Sequence, residues 1–167
     1  MKFNWKENFT NLISAGGFIL SLIGLLFVWL QLKQANEHKQ WENYNAMNLR
    51  YYEWYSTMPD GISIDPCMPF SKRPPAVKKW ARTYFDLYAE EFWLYQNQLI
   101  PNKMWKKMID GGVTINLVTY PVLIRGYEYW KKQGAFQYPN EFIGIVDNKI
   151  ESLQGRLSSK HCPDETR

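Results

Sequence analysis

Residues 12–30 form a continuous apolar run, LISAGGFILSLIGLLFVWL, and no charged residue occurs from position 8 to position 31. At the helical rise of 1.5 Å per residue the run spans about 28 Å, close to the thickness of the hydrocarbon core of a bilayer. Tryptophans flank the run, as interfacial anchors do: Trp5 precedes it, Trp29 lies at its end and Trp41 follows it. The pattern predicts a transmembrane segment within residues 1–33. A cleaved signal peptide is the competing interpretation, although its apolar region is normally shorter and is followed by a small-residue cleavage site.

Small residues within this run recur at steps of three, four and three, at Ser14, Gly17, Ser21 and Gly24. This spacing places them on one stripe of the helix, whereas the other faces carry bulky side chains that we expect to contact lipid. Small residues allow a second membrane helix to approach closely, so the stripe indicates self-association. The alternative is chance, since Gly and Ser are common in membrane helices.

Residues 34–57 are polar, with recurrent Trp and Tyr, and contain no Pro or Gly. We therefore predict that the helix leaves the membrane unbroken as a stalk. One membrane helix cannot enclose a channel, so conduction requires several copies around an axis. In that arrangement Gln31, Gln34 and His38 are the polar positions best placed to face water at a pore mouth.

Residues 58–167 are predicted to form one helical domain. Residues 58–74 form a loop, and aromatic residues recur at helical spacing over 76–97. A third helix starts at Pro101 and is expected to be interrupted at Gly111–Gly112, while residues 113–120 fit a buried helix or a strand equally well. A further helix over 121–133 ends at Gly134, and the last one covers 140–160. The predicted fold is all-α: a transmembrane helix, a stalk and a helical bundle.

The net charge of +4 is spread along the chain, so it favours neither a nucleic acid nor an anionic lipid surface. Positive residues slightly favour a cytoplasmic location for the helical domain. Cys67 and Cys162 are too few for a disulfide framework, and we expect two free thiols, with a single bridge as the alternative. No Cys/His cluster occurs, and we expect no metal and no cofactor.

Asp86, Glu90 and Glu91 form an acidic cluster of the kind used in acid–base or metal chemistry. However, Lys78, Arg82, Asp86 and Glu90 follow one another at four-residue intervals, and Arg82 and Asp86 carry opposite charges. A solvated charged helix face is therefore the preferred interpretation of this cluster.

Only two histidines occur, His38 and His161, and His161 completes an R-x4-H motif with Arg156. An imidazole can transfer the proton of a ribose hydroxyl, and a guanidinium can stabilise a charged phosphoryl group, so this pair has the chemistry of a metal-independent ribonuclease. Positions five apart lie about 140° apart around a helix, so the side chains converge only where the helix ends or bends. An exposed Arg and His without a catalytic role is the alternative.

An R-x4-H motif on a late helix of a small helical bundle is similar to that of HEPN domains. With an N-terminal membrane helix, the chain resembles the small transmembrane accessory proteins of type VI-B CRISPR systems. The resemblance implies a HEPN-like bundle, with Arg156 and His161 as functional or structural residues. It also implies a ring-shaped homo-oligomeric pore in the inner membrane, with eight copies as one candidate number, that depolarises the membrane and enhances antiviral defence by an RNA-guided RNA-cleaving effector.

Two other functions remain open on the sequence. The first is a membrane-tethered HEPN ribonuclease or toxin, which is the enzyme alternative, and direct RNA binding stays open. The second is a membrane-anchored helical adaptor that neither conducts nor catalyses. The activating signal and the conducted species are not encoded in any pattern recognised in the sequence.

Overall fold

The computed structural model describes residues 5–60, 62 and 68–157, with side chains described for 16–60, 62 and 68–153. This part of the chain contains five helices: α1 (Trp5–Ser56), α2 (Pro75–Gln96), α3 (consecutive segments Asn102–Met104, Trp105–Ile109 and Asp110–Thr119), α4 (Pro121–Lys132) and α5 (Asn140–Leu157). A 3-10 turn, Phe70–Lys72, precedes α2. The all-α prediction is confirmed for these residues: a long apolar N-terminal helix is followed by a helical bundle.

Helix α1 is 52 residues long and contributes to two compact units, residues 1–39 and 40–167. In the first unit, residues 16–39 of α1 are all exposed. In the second unit, α1 buries Tyr44, Met47 and Trp54 in the core of the bundle, on one helical face. The limits 1–33, 34–57 and 58–167 derived from the sequence stay a prediction.

Two tryptophans join the end of α1 to α2. The rings of Trp54 and Trp80 stack with their centroids 4.4 Å apart. Each indole also donates a hydrogen bond to the main-chain carbonyl of the other residue, Trp54 Nε1 at 2.9 Å and Trp80 Nε1 at 3.1 Å. Because both indole donors are satisfied, these large side chains can be buried at little polar cost.

Helix α2 begins with Pro75 at its first position, where the missing N–H costs nothing. Two residues after the last helical residue, Gln96, the chain adopts a left-handed conformation at Gln98 (φ 56°). The Leu99 N–H then donates a hydrogen bond to the Leu94 carbonyl at 2.8 Å. Side-chain amides of α1 bind this loop, since Gln40 donates to the Gln98 carbonyl and Asn43 to the Leu99 carbonyl, each at 2.9 Å.

Helix α3 passes through Gly111 and Gly112 without a break, so the expected interruption is wrong, and the strand alternative for residues 113–120 is wrong for the same reason. A π-helical turn, Trp105–Ile109, precedes the glycines. Glycine in a helix costs about 1 kcal/mol relative to alanine. Burial of Trp105, Val113 and Leu117 on the inner face of α3 offsets that cost.

The chain breaks between α3 and α4 at Tyr120 (φ −122°, ψ 78°) because the residue before a proline disfavours the helical conformation. Helix α4 ends before Gly134, whose φ of 65° confirms the predicted stop. Helix α5 agrees with the predicted last helix as far as Leu157, and residues 158–160 lie outside the described part of the chain.

Candidate functional site

The apolar segment of α1 is the one helix in the described part of the chain that is long and apolar enough to cross a membrane. Its large side chains are exposed, including Phe18 at 65 %, Leu20 at 70 % and Leu25 at 66 %. The chain therefore has a candidate membrane-spanning helix near its N-terminus. A signal sequence would satisfy the same criteria of length and composition.

The small-residue stripe lies on this segment of α1. Gly17, Ser21 and Gly24 are exposed, and a Cβ built on either glycine would meet no atom within 4 Å. The Ser21 hydroxyl donates to the Gly17 carbonyl at 2.9 Å, so its polar group is satisfied inside the helix. Ser14 lies in the same helix, but its side chain is outside the described residues.

The three polar positions predicted for a pore mouth, Gln31, Gln34 and His38, are exposed residues of α1 at spacings of three and four. This spacing places them on one side of the helix. Nearby, the Lys33 ammonium lies 5.8 Å from the centre of the Trp29 ring. The assignment of a pore mouth stays a prediction.

The R-x4-H motif is only partly within the described structure. Arg156 belongs to the last turn of α5, but its side chain is not described, and His161 lies outside the described residues. Whether the two side chains converge therefore stays a prediction. Cys67 and Cys162 also lie outside the described residues.

The bundle contains a partly open cavity of about 180 Å³ that the sequence did not indicate. We call it the tyrosine cavity, and it is lined by residues that α1, α2 and α3 present to one another: Tyr44, Asn48, Tyr51, Tyr84, Glu91, Met108, Ile109, Gly112, Val113 and Asn116. On each helix the lining residues recur at spacings of three, four or seven, as expected for one face. The cavity is thus a space left between three packed helix faces.

Among the described residues that line the tyrosine cavity, Glu91 alone is acidic and none is basic. Burial, helped by the negative charge of Glu90 and opposed by Arg50, raises the pKa of the Glu91 carboxyl to about 8. Arg50 instead forms an ion pair with Glu90 at 2.5 Å. The solvated charged face predicted for this acidic cluster is therefore right for Asp86, which pairs with Arg82 at 3.4 Å, and wrong for Glu91.

A chain of polar groups forms one wall of the cavity. The Tyr51 hydroxyl donates to Asn116 Oδ1 at 3.1 Å, and Asn116 Nδ2 donates to the Tyr84 hydroxyl at 3.5 Å. Burial raises the pKa of Tyr84 well above its usual range. Two other lining residues are also hydrogen-bonded, since the Tyr44 hydroxyl donates to the Met108 sulfur at 3.0 Å. The polar lining of the cavity therefore consists of tyrosine hydroxyls, asparagine amides and one carboxyl.

The helical spacing of α2 could have indicated that Glu91 faces inward. Tyr84, Tyr88 and Glu91 are separated by four and three positions, so they share a face, and both tyrosines are buried. The ladder of charges from Lys78 to Glu90 lies on a different face of the same helix. Glu90 and Glu91 are therefore adjacent in sequence but lie on different faces of α2.

Within the described residues, no group of three or more His, Cys, Asp or Glu side chains is close enough to hold a metal ion. The fold and the apolar helix together define the class of the protein, an all-helical chain with one candidate membrane span. No protein-family model, curated protein or solved structure matches this chain.

Proposed function

We propose that this protein is an oligomeric membrane pore that enhances antiviral defence by an RNA-guided RNA-cleaving CRISPR effector, and that it acts by depolarising the inner membrane. The observation that carries the membrane part of the proposal is that every residue from 16 to 39 of α1 is exposed. Transfer of a Leu, Ile, Val or Phe side chain out of water is worth about 1.5–3 kcal/mol. A helix with this many exposed apolar side chains therefore needs a lipid environment or a partner.

The physical continuity of α1 favours a retained anchor over a cleaved signal. The helix continues without interruption from the apolar run to Ser56, and its second part supplies Tyr44, Met47 and Trp54 to the core of the bundle. A span built into the first helix of a folded domain is suited to hold that domain at the membrane surface. The mass of the intact protein purified from membranes tests this step, because a cleaved product would lack the N-terminal residues.

The pore part of the proposal depends on self-association. Gly17 and Gly24 leave open space beside α1, and Ser21 satisfies its own hydroxyl, so this stripe offers a close-packing surface for another copy of the helix. Several copies around an axis could then enclose a channel, with Gln31, Gln34 and His38 at its mouth. The bundle, which we propose to be HEPN-like and cytoplasmic, would assemble or control the ring.

The oligomeric state is tested by light scattering on the full chain in detergent micelles. We expect an assembly much larger than a dimer, and we expect Gly24→Leu to reduce it because the added side chain blocks close approach. Ile23→Leu is the matched control, since it keeps the bulk of a residue on a lipid-facing side of the helix. A monodisperse wild-type monomer would refute the pore.

The coupling to a nuclease is tested in bacterial cells with a dye that reports membrane potential. We expect depolarisation only when the protein and an RNA-guided effector with a matching target are both present, and we expect Gly24→Leu to abolish it. Polarisation that is unchanged in all combinations would favour the adaptor, which anchors a bundle without conducting.

The R-x4-H motif supports a second candidate, a membrane-tethered HEPN ribonuclease or toxin. This function predicts metal-independent cleavage of RNA by the purified protein and its loss in His161→Ala and Arg156→Ala. If RNA stays intact after long incubation with the wild-type protein, with and without the effector, the ribonuclease is excluded, and any effect of the two substitutions on depolarisation then reports a structural role.

A further inference from the structure

We propose that the tyrosine cavity is a binding site for a small organic ammonium cation, with Glu91 as the counter-ion and the phenol rings of Tyr44, Tyr51 and Tyr84 as its walls. The site lies entirely within the bundle. It does not depend on the membrane span or on self-association, so it can be tested separately from the proposed pore.

The charge of the cavity favours a cation. Among the described residues that line it, Glu91 alone is acidic and none is basic, and Arg50, the cation that acts on Glu91, forms its ion pair with the exposed Glu90. Within the described residues, Glu91 makes no hydrogen bond and no ion pair of its own. Glu91 is half-buried, so its carboxylate is less well solvated than it would be in water, and a bound cation would offset that loss.

The walls favour an organic ammonium over a metal ion. Hard metal ions such as Ca²⁺ and Mg²⁺ require several oxygen ligands, and the cavity offers a single carboxylate. Aromatic rings, in contrast, attract an ammonium group through their negative faces, and a cage of aromatic residues is a common receptor for methylated ammonium groups. Three tyrosines and the thioether of Met108 supply such a surface here.

The volume of the cavity limits the size of the ligand. A space of about 180 Å³ holds roughly six water molecules at about 30 Å³ each. A ligand with a similar number of non-hydrogen atoms fits, such as choline. Gly112 lines the cavity, and a Cβ built on it would meet no atom within 4 Å, so the space extends to the backbone of α3.

The experiment compares choline with 3,3-dimethylbutan-1-ol, which has the same shape and no charge. Isothermal titration calorimetry is performed near pH 9, where the Glu91 carboxyl is ionised, on the full chain in maltoside micelles without choline lipids. We expect saturable binding of choline and binding of the neutral compound that is weaker by about tenfold or more. Absence of saturable choline binding, or equal binding of the two compounds, would overturn the proposal.

Two pairs of variants locate the site. Glu91→Gln is expected to weaken choline binding by about tenfold or more, whereas Glu53→Gln, an exposed carboxylate outside the cavity, should not change it. Gly112→Leu should abolish binding because the new side chain fills the cavity. Gly111→Leu is its control, since it makes the same substitution at the adjacent position of α3 with equally open space and does not line the cavity.

Thermal denaturation of each variant shows that it is folded before binding is interpreted. If folded Glu91→Gln binds choline as well as the wild type does, Glu91 is not the counter-ion and the proposal fails. If Gly111→Leu and Gly112→Leu lose binding equally, the loss comes from α3 rather than from filling of the cavity, and the proposed location fails.

Discussion

Replacing Glu91 by glutamine tests whether the charge of this half-buried carboxylate destabilises the bundle. Glutamine keeps the size and shape of the side chain and removes its charge. The other charged or titratable groups near Glu91 are Arg50, Glu90 and Tyr88, together with the phenols that line the cavity, Tyr44, Tyr51 and Tyr84; the lining residues of α3 carry no charge. We expect Glu91→Gln to stabilise the bundle at alkaline pH and to leave its stability almost unchanged in acid.

The sign follows from the pKa of Glu91, which burial raises from 4.5 to about 8. Below pH 4.5 the carboxyl is protonated in both the folded and the unfolded chain. Between pH 4.5 and 8 the unfolded chain releases this proton and the folded chain retains it, so the unfolding free energy of the wild type falls by about 1.4 kcal/mol per pH unit. Above pH 8 the carboxyl is ionised in both states, so this contribution to the unfolding free energy no longer changes with pH.

The rise of this pKa corresponds to about 5 kcal/mol at its full extent, since each pKa unit is worth about 1.4 kcal/mol. Water that enters the cavity screens part of this cost, so we expect a stabilisation of about 2–4 kcal/mol for Glu91→Gln above pH 8.

The assay is denaturant unfolding of the full chain in maltoside micelles, followed by Trp fluorescence near pH 5 and near pH 9. Trp54 and Trp80 lie in the core of the bundle and report its unfolding. Glu53→Gln is the control for removing an exposed carboxylate and should show no pH-dependent difference from the wild type. A Glu91→Gln effect of the same size at both pH values would refute the argument.

Two further predictions concern the packing of the bundle, and thermal denaturation checks both. Gly126→Ala should destabilise the protein by about 1–3 kcal/mol, because its Cβ would lie 2.9 Å from the buried Phe70 ring, whereas Gly144→Ala, which meets no atom within 4 Å, should not. Trp80→Phe should cost about 2 kcal/mol through loss of the stack and of the hydrogen bond to Trp54; a change below about 0.5 kcal/mol would show that this aromatic pair is not stabilising.

The sequence predicted most of the helices because each carries a local signal. A charge-free apolar run marked the first part of α1, Pro75 and Pro121 fixed helix starts, and Gly134 fixed a helix end. The failure at Gly111–Gly112 has a physical reason. Glycine lowers helix propensity by an amount that tertiary burial can exceed, and the burial of Trp105 and Leu117 is not visible in the local sequence.

The tyrosine cavity could not be predicted in the same way, because it is defined by contacts among three helices. The sequence shows that Tyr84, Tyr88 and Glu91 share a face of α2, but it does not show which residues of α1 and α3 face them. Contacts such as Tyr51 with Asn116, which are 65 positions apart, depend on the tertiary fold. The membrane span needed no such information, since its signal lies within one segment.

The stability experiment and the binding experiment constrain each other through Glu91. A ligand that binds only the folded chain raises the unfolding free energy by an amount that increases with the ratio of ligand concentration to Kd, about 2.7 kcal/mol at a hundredfold ratio. If an ammonium cation pairs with Glu91, choline should raise the unfolding free energy of the wild type near pH 9. It should therefore reduce the advantage of Glu91→Gln, that is, the amount by which this variant is more stable than the wild type. The neutral 3,3-dimethylbutan-1-ol should leave that advantage unchanged. If choline stabilises the wild type and Glu91→Gln equally, its effect does not pass through the carboxylate, and the cavity is a packing defect rather than a cation site.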